Sequence, residues 1–316
     1  MPGGHPDFVT LVEAPSGRYK FVIEAKSSGQ PRIARQALDH LKTYGQFTPN
    51  YYPVFLAPYI ADAAAKLCGQ EGMGYIDLAG NCRLAFGQIF IGRRGRENPY
   101  SEKRVLKSLY SPKSERVLRV LLTSRQYSWK VEELSRDTDA SLGLISKVKN
   151  LLEDREWLAP RTSGIRLRNP ENTLREWARE YRYTKHQTRD FYSFASGPEL
   201  EEMVAGAAET CGLRIALTGF SAAVRYAPAV RYQRSMIYCM GEPTRIAQAL
   251  DLNQVSSGAN LTLIQPYDEG VLYAAQERDG LPVVSPIQTY LDLMKQAARG
   301  EDAAEALLDE VIQQSW

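Results

Sequence analysis

The sequence predicts a multidomain α/β chain, with a winged helix-turn-helix at its centre and an α/β sheet on either side. Three observations carry that prediction. Strand and helix signals interleave over residues 1–100. Three amphipathic helices and a basic hairpin follow within 101–170. Interleaving then resumes, after a helical connector, within 171–316. A length of 316 residues, 44% of them hydrophobic, suffices for two or three cores.

The first region opens with a strand at Phe8–Val12, a turn at APSG and a second strand at Tyr19–Lys26. A helix is expected from about Pro31 to Tyr44, a buried-type strand at Tyr52–Ala57, a helix at Ile60–Glu71 and a strand at Gly74–Leu78. Arg83–Phe86 and Gln88–Ile91 complete the unit. Gly80-Asn81 suits a tight turn with positive φ, and Asp77 and Asn81 either hold that turn or stand beside a site.

In the middle of the chain, Pro112 and Ser114 mark a helix start, and Val117, Leu118, Val120, Leu121 and Leu122 its buried face. After the linker RQYSW a short helix spans Val131–Thr138, Asp139-Ala140 makes the turn, and Ser141 caps a third helix running to Asp154. Leu144, Ile145, Val148, Leu151 and Leu152 form the inner face of that helix. Ser141, Gly143, Ser146, Lys147 and Asn150 are left outward, and small or hydrogen-bonding side chains are what a helix entering a major groove requires. Trp157–Ala159 and Ile165–Arg168 read as a two-stranded wing about Ser163-Gly164, with Arg161, Arg166 and Arg168 placed for phosphates.

In the third region Asn172–Tyr183 is an amphipathic helix. RYTKHQTRDFYSF is read as a further interdomain helix with buried aromatics, in preference to a stacking surface. Helices are expected at Glu199–Cys211, Pro286–Met294 and Ala303–Val311, and strands at Arg214–Leu217, Ser235–Met240, Leu261–Gln265 and Val271–Ala275. TGFSAA resembles the glycine–serine turn of nucleotidyltransferases, yet no carboxylate pair with strand spacing lies near it. Asp268-Glu269 reads as solvated.

The net charge of +2 excludes a polybasic chain, but its distribution is uneven. Arg93–Arg119 holds nine Lys/Arg against three Glu, Arg161–Arg189 holds eight against three, and no basic residue follows Arg299. Basic charge therefore flanks the recognition helix, as phosphate contacts require. Four cysteines without a CxxC pair and three histidines argue against structural zinc and for reduced thiols. No run has membrane-spanning length and no signal peptide is evident, so a cytoplasmic location without membrane association is expected.

Pro6-Asp7, sixteen residues, then Glu24-Ala25-Lys26 resembles the PD-(D/E)xK signature of the restriction-endonuclease-like superfamily. Asp7 and Glu24 would offer carboxylate oxygens to Mg²⁺. Lys26, two residues along the strand from Glu24, would share its face and position the attacking water or neutralise the developing charge. Within that resemblance Gln36 and Tyr44 match a polar helix motif. Only six residues precede Asp7, so the helix that usually opens this fold is missing, and either a misplaced start or a trimmed, non-cleaving domain is expected.

GYIDLAGN, the central winged helix, ALTGFSAA and VVSPIQTYLDLMKQAARGEDAAEALL together resemble the AbiEi-type antitoxins of type IV toxin–antitoxin systems. The likeness covers nearly the whole chain and is strongest near 74–86, 215–223 and 283–308. It implies a winged helix that represses its own operon, beside a nucleotidyltransferase-like domain without catalysis. The family commonly places the winged helix first, whereas a nuclease-like unit precedes it here, which opens a DNA-cleaving or phage-defence role. Three readings follow: a DNA-binding regulator, a Mg²⁺-dependent endonuclease targeted by the winged helix, and a protein-only partner of a toxin. The partners expected are double-stranded DNA, a cognate toxin and a second copy forming a homodimer on a palindromic site.

Overall fold

A computed structural model describes residues 5–45, 50–99, 109–123, 128–160, 164–227, 232–297 and 299–316, which form two sheets and eleven α-helices. The chain divides into two compact units. One comprises Met1–Ser108 and Lys149–Trp157, the other Leu109–Val148 and Leu158–Trp316.

The first unit is a six-stranded sheet in sequence order: β1 (Phe8–Ala14), β2 (Gly17–Ala25), β3 (Tyr51–Ala57), β4 (Gly74–Asp77), β5 (Cys82–Phe86) and β6 (Ile89–Arg93). β2, β3 and β4 are parallel, and their crossovers are the helices α1 (Pro31–Gly45) and α2 (Asp62–Gln70). β1 and the β5–β6 hairpin pair antiparallel at the flanks. The two-residue period of a strand sends Val22, Phe55 and Tyr75 towards Ala34, Leu38, Leu41, Ala64 and Cys68 of the helices. Phe21, Val54, Leu84 and Phe86 cluster on the opposite face, with Phe86 edge-on to both Tyr19 and Phe21 at 4.9 Å.

The second unit begins with α3 (Pro112–Thr123), α4 (Val131–Thr138) and the start of α5 (Leu142–Asp154). α6 (Pro170–Glu180) follows, N-capped by Asn169, whose Oδ1 accepts the Asn172 amide at 3.1 Å. A seven-stranded mixed sheet completes it, ordered β10 (Asn253–Gln254), β7 (Gln187–Tyr192), β11 (Leu261–Gln265), β9 (Ser235–Met240), β8 (Arg214–Thr218), β13 (Leu281–Val283) and β12 (Gln276–Arg278). Leu217, Ile237 and Leu263 pack one sheet face on Leu200 and Val204 of α7 (Gly197–Thr210) and Ile246 of α9 (Thr244–Ala249). Ala216, Met236, Tyr238 and Ile264 form the other face. α8 (Gly219–Tyr226), α10 (Pro286–Leu293) and α11 (Gly300–Leu307) complete the helices.

Most elements lie within a few residues of expectation, and two differ in kind. Residues 187–192 form a strand between β10 and β11, not a helix. Thr188, Phe191 and Tyr192 favour the pleated conformation, and Phe191 enters the sheet core. The strand expected at Val271–Ala275 is a 3-10 turn over Glu269–Leu272. Asp268 caps it by accepting the Gly270 amide at 2.8 Å, and Ala274 turns left-handed at φ 54. The extended run begins only afterwards, as the β12–β13 hairpin.

Candidate nucleic-acid interface

α4 and α5 are separated by Asp139, Ala140 and Ser141. Asp139 is left-handed at φ 50, a region that Asp tolerates better than most residues, and the Lys113 ammonium donates to its carbonyl at 2.9 Å. Ala140 is buried, and its carbonyl accepts the Ser135 hydroxyl at 2.6 Å. Ser141 caps α5, its Oγ accepting the Leu144 amide at 3.3 Å. The turn is therefore held by side chains on both sides, and the start of α5 is fixed relative to α4.

Helical spacing then separates the faces of α5. Ile145, Val148 and Leu152 are buried, whereas Ser141, Gly143, Ser146, Lys147 and Asn150 are exposed. Leu142, half exposed, adds one apolar contact at the leading end. Lys149 is diverted to Glu153 at 3.5 Å, leaving Lys147 as the cation of the outward face.

The hairpin after α5 is held by isolated bridges. Trp129 pairs with Ile165 through bonds of 3.0 and 2.7 Å, Leu158 is bridged to Leu167, and the Ala159 amide donates to Arg166 at 2.8 Å. Gly164 is needed for this closeness, because a Cβ there would lie 2.7 Å from the Trp129 carbonyl oxygen. Arg168 is exposed and Arg166 half-buried. Arg161 and the Ser163 of the expected turn lie outside the described residues.

In the N-terminal unit the β1–β2 register sets Phe8 opposite Ile23, which brings Asp7 to the end of β2, where its carboxylate accepts the Ala25 amide at 2.8 Å. Glu24 is 2% exposed. Its Oε1 takes a hydrogen bond from Lys26, and its Oε2 lies 2.9 Å from His40 Nδ1. Asp7, Glu24 and Lys26 are thus brought together, whereas Gln36 and Tyr44 are not. Gln36 is exposed on α1, one turn before His40, and Tyr44 packs on the helix-side core one turn after it. Sequence reasoning missed His40, and its spacing of four from Gln36 on one helix face was the available signal. Asp77 accepts the Asn81 amide at 2.7 Å, the Asn81 side-chain amide at 2.9 Å and the Ile60 amide at 3.3 Å, so it is committed to holding its turn.

A Mg²⁺ ion needs several convergent, accessible oxygens. Asp7 is partly engaged, both Glu24 oxygens face nitrogen groups, and among the described residues no three His, Cys, Asp or Glu converge on a point. As arranged, these residues do not fit the ion.

The second unit holds a larger polar cluster that the sequence did not suggest. Asp292 on α10 is fully buried and accepts hydrogen bonds from Thr218 Oγ1 at 2.6 Å and from Tyr181, Tyr238 and Gln288 at 3.0 Å. Burial pushes its carboxyl above the usual range even so. The Gln288 carbonyl accepts Nε and Nη2 of Arg119 at 2.9 and 2.7 Å, and the Arg119 guanidinium lies 5.0 Å from the Trp177 ring. Glu115, one turn earlier on α3, accepts from Tyr267 and lies 3.5 Å from the Lys185 ammonium. His186 Nε2 meets the Tyr181 and Tyr238 hydroxyls at 2.9 and 3.2 Å, and burial, with Arg119 and Lys185 nearby, pulls the imidazole down to about 3.

This cluster sits beside TGFSAA, which forms the junction of β8 and α8. Every carboxylate, hydroxyl and amide named in it has a partner within the fold, whereas Arg119 Nη1, His186 Nδ1 and Trp177 Nε1 are buried without a hydrogen bond. Asp292 is a single carboxylate, contacted only by neutral donors, so the cluster gives no carboxylate pair for a transferase. Its signal was Gln288 and Asp292, four apart on one face of a buried helix. Asp268 is also not solvated. It takes a two-pronged ion pair from Arg116 at 2.8 and 3.0 Å and anchors the 3-10 turn to α3.

No helix among the described residues is long and apolar enough to cross a membrane. No curated protein and no solved structure matches the chain. Residues 166–313 match the family model described as "Transcriptional regulator, AbiEi antitoxin, Type IV TA system", a span that takes in α6, the whole seven-stranded sheet and the α10 residues of the buried polar cluster, but not Glu115 and Arg119 on α3.

Proposed function

We propose that this chain is a DNA-binding transcriptional regulator of the antitoxin type, which reads duplex DNA with α5 and grips phosphates with the following hairpin. The observation that carries the proposal is the outward face of α5, where Ser141, Ser146, Lys147 and Asn150 stand exposed over a buried apolar face. The element order supports it: helix, bridging residue Trp129, helix, three-residue turn, helix and basic hairpin follow the plan of a winged helix. The antitoxin part rests on the family match at 166–313, which also makes a cognate toxin and the operon's own promoter the natural partners. Ser146, Lys147 and Asn150 touch base edges; Arg161, Arg166 and Arg168 hold the backbone; a homodimer would double the site on a palindrome.

The test measures binding of the full chain to its own upstream DNA and to scrambled duplexes. Lys147→Ala with Asn150→Ala removes the preference between the two and leaves salt-dependent, sequence-blind binding. Unaltered preference in that variant would sink the assignment, and absence of any duplex binding at moderate salt would leave a protein-only partner. A second reading, a Mg²⁺-dependent endonuclease, draws on the register that brings Asp7 to the strand end carrying Glu24 and Lys26, and it requires Glu24 to release Lys26 and His40 so that its oxygens are free for the ion. Incubating supercoiled DNA with Mg²⁺ or EDTA separates the two readings. Nicking that needs the metal and is lost in Glu24→Ala moves the function to the N-terminal unit.

A further inference from the structure

The β5–β6 hairpin carries a surface that neither the family match nor the α5 interface uses. It lies at the flank of the N-terminal sheet, beyond β4. Its register sets Arg83 opposite Gly92 and Ala85 opposite Phe90, so these four residues share one face. Phe90 is 68% exposed, and the Arg83 guanidinium lies 5.9 Å from its ring centroid. Arg83 reaches there past Gly69 in the last turn of α2, where even a Cβ would be in contact with the guanidinium at 3.7 Å. Arg94 follows at the strand end and is exposed.

The chemistry is one-sided. From Cys82 to Arg94 the chain has three arginines and neither Asp nor Glu. None of the three has an acidic partner among the ion pairs of the described residues. The Phe90 ring lies over Gly92, where an added Cβ would be 3.0 Å from it, with the Arg83 cation beside it.

We propose that this face binds single-stranded DNA, one base stacking on Phe90 while Arg83 and Arg94 engage the adjoining phosphates. Stacking on an aromatic ring tolerates any base, and arginine beside the ring adds the backbone attraction. A duplex keeps its base faces covered and cannot use Phe90. RNA is disfavoured as the intended occupant because Ala85 and Gly92 offer no side chain to read a 2′-hydroxyl.

The test is fluorescence anisotropy of the full chain with labelled oligothymidylate, oligouridylate and a duplex of equal length. The oligothymidylate is expected to bind, and Phe90→Ala to weaken it about tenfold, the scale of one lost base stack. Phe90→Trp retains binding, which separates loss of the ring from loss of the fold, and Arg94→Ala flattens the salt dependence. Duplex binding by Phe90→Ala is unchanged. The Lys147→Ala, Asn150→Ala variant does the reverse, losing duplex preference while keeping the oligothymidylate, so failure of one interface is distinguishable from failure of the other. Parent-like oligothymidylate affinity in Phe90→Ala, tighter binding of oligouridylate, or no single-strand binding at all overturns the proposal.

Discussion

His186 makes the stability of the second unit depend on pH, and the size of the effect follows from its surroundings. The imidazole is buried beside Tyr181 and Tyr238, and desolvation with the nearby Arg119 and Lys185 pulls it from an ordinary 6.5 to about 3. A base with a depressed folded value is neutral in the fold but takes a proton when the chain unfolds. Stability is thus full above 6.5 and is lost as pH falls towards 3. Between pH 7 and 5 the loss is about 2 kcal/mol, since each unit below 6.5 contributes about 1.4 kcal/mol. Asp292, pushed up by burial, acts in the opposite direction, favouring the fold at low pH. The comparison is therefore between the parent and His186→Asn, which keeps a hydrogen-bonding side chain without the titration. Urea unfolding read by tryptophan fluorescence at pH 7, 6 and 5 should show the parent losing about 2 kcal/mol more than the variant over that range. Equal losses in the two proteins would refute the reasoning and mean that His186 is reached by protons in the fold.

Two further perturbations follow from the same unit. Arg119→Met removes both bonds to Gln288 and the contact with Trp177, and should cost about 3 kcal/mol in urea unfolding. Adding Asp292→Asn should recover part of that loss by removing the second buried charge; a single-variant loss below about 1 kcal/mol would show that the guanidinium is dispensable. Gly164→Ala places a methyl 2.7 Å from the Trp129 carbonyl oxygen and should open the bridge that seats the hairpin. It should lower the melting temperature by several degrees, corresponding to about 2 kcal/mol, and weaken duplex binding, whereas an unchanged melting temperature would show that the hairpin yields freely.

Periodicity made most of the secondary structure legible. α4 is bounded as its spacing predicts, and the outward and inward faces of α5 separate by burial as the sequence ordered them. What the sequence hid was of long range. Asp292 meets Thr218 and Tyr181 across 74 and 111 residues, and His40 reaches Glu24 from a neighbouring helix, pairings that no local pattern encodes. Residues 187–192 misled because their mixture of basic and aromatic side chains has no clear period, and the decision fell to the partner strands β10 and β11. Val271–Ala275 misled because its apolar content suits a strand, while Asp268 upstream imposes a cap and a turn. In the N-terminal unit Glu24 and Lys26 meet as strand spacing suggests, but Asp7 is spent on the Ala25 amide and Glu24 also faces the His40 imidazole.

The first helix of the proposed DNA-reading segment cannot be regarded as a detachable module. Arg116 is matched to Asp268 and Arg119 to Gln288, partners 152 and 169 residues further along the chain. A fragment ending at the hairpin would keep these charged side chains but lose Asp268, Gln288 and Trp177, leaving Arg116 only its weaker contacts with Thr138 and Asp139. Dissection at that point should yield an insoluble or unfolded peptide, however complete its three helices look on paper. The same wiring means that any force applied to the C-terminal sheet, by a bound protein or a second subunit, is felt directly at α3 without passing through a linker.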